Sequence, residues 1–173
     1  MCLRGERRSD VGRYYEFGIV ALCVLVLDQL TKWLVVHSIS PWESVTVIPG
    51  FCNLVSVRNR GAAFGFLNRS DIEWQFWLFL FATLAACAAI LWLVRTMEET
   101  SHAYCIGLGC IFGGALGNGC DRLRLRAVVD FLDLYWKDWH WPAFNVADTA
   151  ICIGAGLVAL VVFLKPRKRL TKS

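Results

Sequence analysis

Four apolar runs constrain this 173-residue chain more than any other feature of its sequence. They cover Phe17 to Val36, Trp74 to Val94, Ala103 to about Cys120, and Phe144 to Leu164. Crossing the hydrocarbon core of a bilayer takes about 20 helical residues, and these runs are of that order. In a soluble domain, residues that are 57% hydrophobic would be spread at helical or strand spacing instead of being gathered. The expected fold is therefore an all-α membrane protein with four transmembrane helices. It occupies residues 1–173 as one integral membrane domain, with spans at about 17–36, 74–94, 103–120 and 144–164. Two outer loops, 37–73 and 121–143, would hold a small strand-rich periplasmic segment and an interfacial aromatic segment. The first run is too long for a cleavable leader and lacks a small-residue cleavage site, so it is read as a retained span.

Charge placement orients the spans. Arg4, Arg7, Arg8 and Arg13 precede the first run, Arg95 lies in the short second loop, and Lys165, Arg167, Lys168, Arg169 and Lys172 follow the last. Four spans put both tails and that loop on one side, and the positive-inside rule makes this side cytoplasmic. Seven further basic residues fall in the outer loops, gathered in motifs, which points to work other than setting topology. The eight cysteines show no metal spacing. Those inside spans act as small hydrophobes; Cys52 and Cys120 lie near the outer face, and nothing argues that they pair.

Polar residues inside or beside the spans are the next signal, because they are costly there and commonly functional. In the first span, Asp28 and Lys32 are four residues apart and share a helix face, where they can neutralise each other. They are either a packing pair or a support for a site. The loop SVTVIPGFCNLVSVRNRGAAFGFL alternates and is β-branched as far as Val57, with a turn at Pro49 and Gly50, so two or three surface strands are expected. Its small-residue end could receive an extended peptide or be a plain loop. The third run carries Gly109, Gly113 and Gly117 at GxxxG spacing, which allows close helix contact.

Asn118 to Asp148 concentrates polarity between two spans: five aspartates, two asparagines and three closely spaced arginines. Asn118 and Arg122 point one way if the helix continues, and Asp121 reads as a capping residue or a partner of Arg122. Asp130, in VVDFLDLYW, has apolar neighbours on both sides and is expected to be poorly hydrated, with a raised pKa. Asp133 and Asp138 fall among Tyr135, Trp136, Trp139 and Trp141, a pattern suited to a solvated helix lying in the interface. Asn145 and Asp148 are three apart, about one turn below the outer surface. His37, His102 and His140 form no HExxH, and neither a GxSxG elbow nor a phosphate loop is present. Carboxylates remain. Two that share a site cannot both ionise easily, so one can hold a proton while the other acts as a base. A carboxylate-based hydrolase and a small proton-coupled membrane transporter or channel both stay open on the residues alone.

The ordered motifs LDQLTK, NRGAAFG, GGALGNGCDRL, VVDF and FNVAD resemble the lipoprotein signal peptidase (signal peptidase II) family over about residues 17 to 164. The resemblance implies a membrane aspartic endopeptidase with Asp130 and Asp148 as catalytic residues. Asn118, Arg122, Asn145, Asn59 and Asp28 would be supporting polar residues, and Gly61, Ala62, Ala63 and Phe64 would complete the outer-loop motif. Asp121 would belong to a structural Asp-Arg pair. The implied substrate is a prolipoprotein carrying diacylglycerol on a cysteine, cut just before that cysteine. The expected setting is the bacterial inner membrane with both termini cytoplasmic and the active site at the periplasmic side. Membrane lipids are expected partners, nucleic acid is not, and the chain is expected to be a monomer that needs no metal or organic cofactor.

Overall fold

The computed structural model describes residues 10–41, 43–61, 73–96 and 101–164. Among these residues, four helices are long and apolar enough to cross a membrane. They are α1 (Asp10–Ser38), α2 (Trp74–Thr96), α3 (His102–Leu125) and α4 (Val146–Leu164). Strands β1 (Ser44–Ile48) and β2 (Cys52–Asn59) lie between α1 and α2, and β3 (Val128–Trp136) and β4 (Trp139–His140) between α3 and α4. All four strands therefore sit at one end of the bundle, joined antiparallel in the order β1-β2-β3-β4. Trp74 and Trp77 at this end of α2, and Trp92 near its other end, are more than half exposed, as residues of two interfacial belts should be.

Helix α3 is the most buried of the four, and its glycines explain how. A Cβ at Gly113 would stand 2.5 Å from the Ala21 carbonyl oxygen of α1, and one at Gly114 2.5 Å from the Ala147 carbonyl oxygen of α4. Gly109 meets Phe17 and Val20 of α1, while Gly107 meets Gly154 and Val158 of α4. The glycine stripe expected from the sequence faces α1, and a second one faces α4. Lipid offers little hydrophobic drive for helix association, so such close backbone contact holds the bundle together. Ser101 caps the start of α3 by accepting from the Tyr104 N–H (3.3 Å), and Arg126 ends it in the left-handed region with φ 54°.

Several helix boundaries differ from the sequence reading. Helix α1 starts at Asp10, and α3 runs on to Leu125 instead of stopping near Cys120, because the polar side chains of its last turns find partners inside the bundle. Helix α4 starts at Val146 and not Phe144, since Phe144 instead bridges to Leu132 and Asn145 caps the helix. The aromatic segment is not an interfacial helix. Residues 128–136 pair antiparallel with β2, Val57 opposite Asp130 and Asn53 opposite Asp133 with a shift of register between them, and a tight turn at Lys137 (φ 56°) returns the chain as β4. Alternation, not helical period, governs VVDFLDLYW, and the β2 edge supplies its backbone partners.

Candidate active site

The capping of α4 sets the centre of the site. Asn145 is fully buried, and its Oδ1 accepts from the Asp148 N–H (2.9 Å) while Asp148 Oδ2 accepts from the Asn145 N–H (3.3 Å). This reciprocal capping box holds the Asp148 carboxylate in the first turn of α4, where the helix dipole favours negative charge. The next free N–H, that of Ala147, donates to Asp28 Oδ1 of α1 (2.9 Å). Asp28 thus ties α1 to the start of α4.

Strand pairing sets the other half. Asp130 leaves β3 beside the end of β2, is only 3% exposed, and accepts from Asn59 Nδ2 (3.1 Å) and Asn145 Nδ2 (2.8 Å). Asn118 of α3 donates from Nδ2 to Asp148 Oδ1 (2.8 Å), and its Oδ1 accepts from Asn145 Nδ2 (3.2 Å). An unbroken chain of amides therefore links the two carboxylates. Burial, and secondly the nearby Asp148 charge, push the Asp130 carboxyl up to about 7. The sequence expectation of a poorly hydrated Asp130 holds.

Asn59, Gly61, Asn118, Arg122, Asp130 and Asp148 line one cavity of about 480 Å³, with an apolar wall that includes Phe144, Ile151 and Ile153. Arg122 Nη2 reaches the Gly61 carbonyl at 3.4 Å, and its guanidinium lies over the Phe79 ring. Its Nε is buried without an acceptor among the described residues. Asp28 stands behind this wall, not on it. Ala62, Ala63 and Phe64 lie outside the described residues.

Helical spacing makes Lys32 only the partner of Asp28, and the structure gives it a larger role. Its Nζ meets Asp28 Oδ2 (2.8 Å), Asp121 Oδ2 (2.9 Å) and Asn118 Oδ1 (2.9 Å). With Oδ1 of Asn118 held by an ammonium, its Nδ2 must face Asp148. Asp121 accordingly pairs with Lys32 and not with Arg122, and also accepts from Gln29 Nε2 and the Val129 N–H. Only the spacing of Lys32 from Asp28 was visible in the sequence; the reach to α3 is tertiary. Asp133 is not solvated either. It is 9% exposed and bonded to Asn53 Nδ2 (3.1 Å) and His140 Nδ1 (2.9 Å), whereas Asp138 is exposed in the turn, as expected. Cys52 and Cys120 are both free thiols.

A family model described as signal peptidase (SPase) II matches residues 20–164. The chain belongs to the signal peptidase II family. That membership decides between the hydrolase and transporter readings. A lipoprotein signal peptidase of Nitratidesulfovibrio vulgaris is 59% identical over 147 residues, 85% of this chain and 88% of the relative. One of Maridesulfovibrio salexigens is 50% identical over 90% of this chain and 99% of the relative. The fold is also similar to the solved structure of a bacterial membrane enzyme, with TM-score 0.78 and 29% identity over 90% of this chain and 92% of that one.

Proposed function

We propose that Asp130 and Asp148 are the catalytic pair with which this signal peptidase II hydrolyses its substrate. As a member of that family the protein is a membrane aspartic peptidase that removes signal peptides from prolipoproteins. The observation that carries the assignment is a pair of carboxylates on one cavity, linked by Asn118 and Asn145, with Asp130 pushed up to about 7.

A buried carboxyl that keeps its proton beside an ionised one is equipped for acid and base work at once. Asp148 takes a proton from water, the resulting hydroxide adds to the scissile carbonyl carbon, and Asp130 gives its proton to the carbonyl oxygen. In the collapse of this tetrahedral diol, one hydroxyl proton returns to Asp130, Asp148 protonates the departing nitrogen, and the C–N bond breaks. The products are a signal peptide carboxyl group and a free amine on the mature protein. Donors from Asn59, Asn118 and Asn145 hold the carboxylates in place through these charge changes.

The substrate is a prolipoprotein whose cysteine carries diacylglycerol, cut immediately before that cysteine. The apolar wall of the cavity and its position at the membrane end of the bundle suit a substrate that arrives by lateral diffusion. The bundle sits in the bacterial inner membrane as a monomer, with its termini cytoplasmic and the sheet end periplasmic, on the distribution of basic residues. Protein purified in detergent should cleave a diacylglyceryl-modified precursor without an ion gradient, and mass spectrometry should find the modified cysteine at the new N-terminus. Release of the signal peptide from an unmodified precursor at equal rate would remove the lipid requirement. An alkaline phosphatase fused to the C-terminus should be inactive; activity would reverse the topology.

A further inference from the structure

A second, smaller pocket of about 80 Å³ lies at the same end of the bundle and shares no lining residue with the catalytic cavity. Neighbouring residues divide between the two. Asn59 and Asp130 face the catalytic cavity, while Arg58 and Val129 line the small pocket, as alternation along β2 and β3 requires. Arg124 and Asp121 of α3 and Trp33 and His37 of α1 complete its polar rim.

Its charges do not balance. Arg58 Nη1 is buried and has no acceptor among the described residues. Among the described residues, Arg124 Nη1 reaches only the neutral Gln29 Oε1 (3.1 Å). The one carboxylate on the wall, Asp121, is already engaged by Lys32, Gln29 and the Val129 N–H. Counting Asp28 and Asp121 against Lys32, Arg58 and Arg124 leaves one positive charge, which matches the single negative charge of a phosphodiester. The site also lies where such a group would be. Trp33 is 54% exposed near the end of α1, its ring tilted against that of His37, as suits an interfacial aromatic, and Leu30 and Leu34 are nearly half exposed beside it.

We propose that this pocket binds the phosphate of an anionic phospholipid, with Arg58 and Arg124 donating to its oxygens. Trp33 sits at the headgroup boundary, and the acyl chains run along the exposed leucines of α1. Pocket size admits the phosphate and little more, so the rest of the headgroup stays outside.

Native mass spectrometry of the full chain, titrated in detergent with phosphatidylglycerol or with diacylglycerol, which has the same acyl chains and no phosphate, tests the site. The wild type should bind phosphatidylglycerol more tightly. Arg58→Gln and Arg124→Gln should each weaken it about fivefold, the effect of ~1 kcal/mol per basic residue near a lipid surface, and leave diacylglycerol binding unchanged. Arg95→Gln, at the opposite end of the bundle, should have no effect. Phosphatidylglycerol should raise the thermal midpoint of the wild type more than that of Arg124→Gln, whose site of change is exposed and leaves the fold intact. Equal affinity for the two lipids, or an equal loss on Arg95→Gln, would overturn the proposal. So would inorganic phosphate protecting the wild type as well as the lipid does, which would mean a free-anion site.

Discussion

Two groups of carboxylates share the sheet end of this bundle, and they differ in what answers their charge. Asp28 and Asp121 converge on the Lys32 ammonium at 2.8 and 2.9 Å. Asp130 and Asp148 are joined by Asn118 and Asn145 instead, and among the described residues no cation bonds either one. A buried cation holds its two carboxylates in one place and gives them a structural task. Burial and the neighbouring Asp148 push Asp130 up to about 7, and the neutral amides of Asn59 and Asn145 offset this only in part. The first group is connected to the second through Asn118, whose orientation Lys32 determines. The charged triad acts as a frame, and the amide-linked pair as the part that titrates.

Substitutions can break this contrast at several points. The largest effect is expected at the titrating pair: Asp130→Asn and Asp148→Asn should each lower cleavage of a lipidated precursor by roughly 10³-fold or more, within what general acid–base groups contribute, while membrane insertion is normal. Lys32→Met comes next. Stranding two buried carboxylates should cost about 3–5 kcal/mol, read as a lower thermal midpoint in detergent. Adding Asp28→Asn and Asp121→Asn removes the stranded charges and should restore the midpoint, yet turnover should stay about 10²-fold down, because Asn118 is free to flip. Turnover restored together with stability would show that Lys32 is only a counter-ion.

Stability should also separate the groups. Asp130 binds its proton more tightly folded than unfolded, so its contribution falls as pH rises from about 4 to about 7 and stays low above that. Asp130→Asn should therefore raise the stability near pH 8, by no more than about 4 kcal/mol; Asp28→Asn alone, which breaks the ion pair with Lys32, should lower it. A destabilised Asp130→Asn would mean that its carboxylate is well paired when ionised. The smallest effect is expected outside both groups. Asp133→Asn weakens the contact with His140 on the sheet and should cost about 1 kcal/mol, with cleavage close to wild type. Loss of cleavage there would move the reacting group along β3.

Much of this was legible in the sequence, for definite reasons. Spans announce themselves because uninterrupted apolar length has few other uses, and Asp28 with Lys32 follows from helical spacing alone. The apolar flanks of Asp130 told of its poor hydration. Residues whose role depends on a second element were harder. Lys32 reaches Asn118 and Asp121 across 86 and 89 positions of chain, and no local pattern encodes that reach. VVDFLDLYW was misread because its aromatic clustering resembles an amphipathic helix; its strand state is imposed by the β2 edge, which also buries Asp133. Asp121 was assigned to its sequence neighbour Arg122, although helix geometry turns adjacent side chains about 100° apart.

The central claim is that Asp130 works as a protonated acid with Asp148 as the base, and the pH dependence of kcat/KM for cleavage in detergent tests it most directly. Above about 7, where Asp130 gives up its proton, kcat/KM should fall about tenfold for each further pH unit. A rate that stays level to about pH 9, with the protein still folded, would contradict the account.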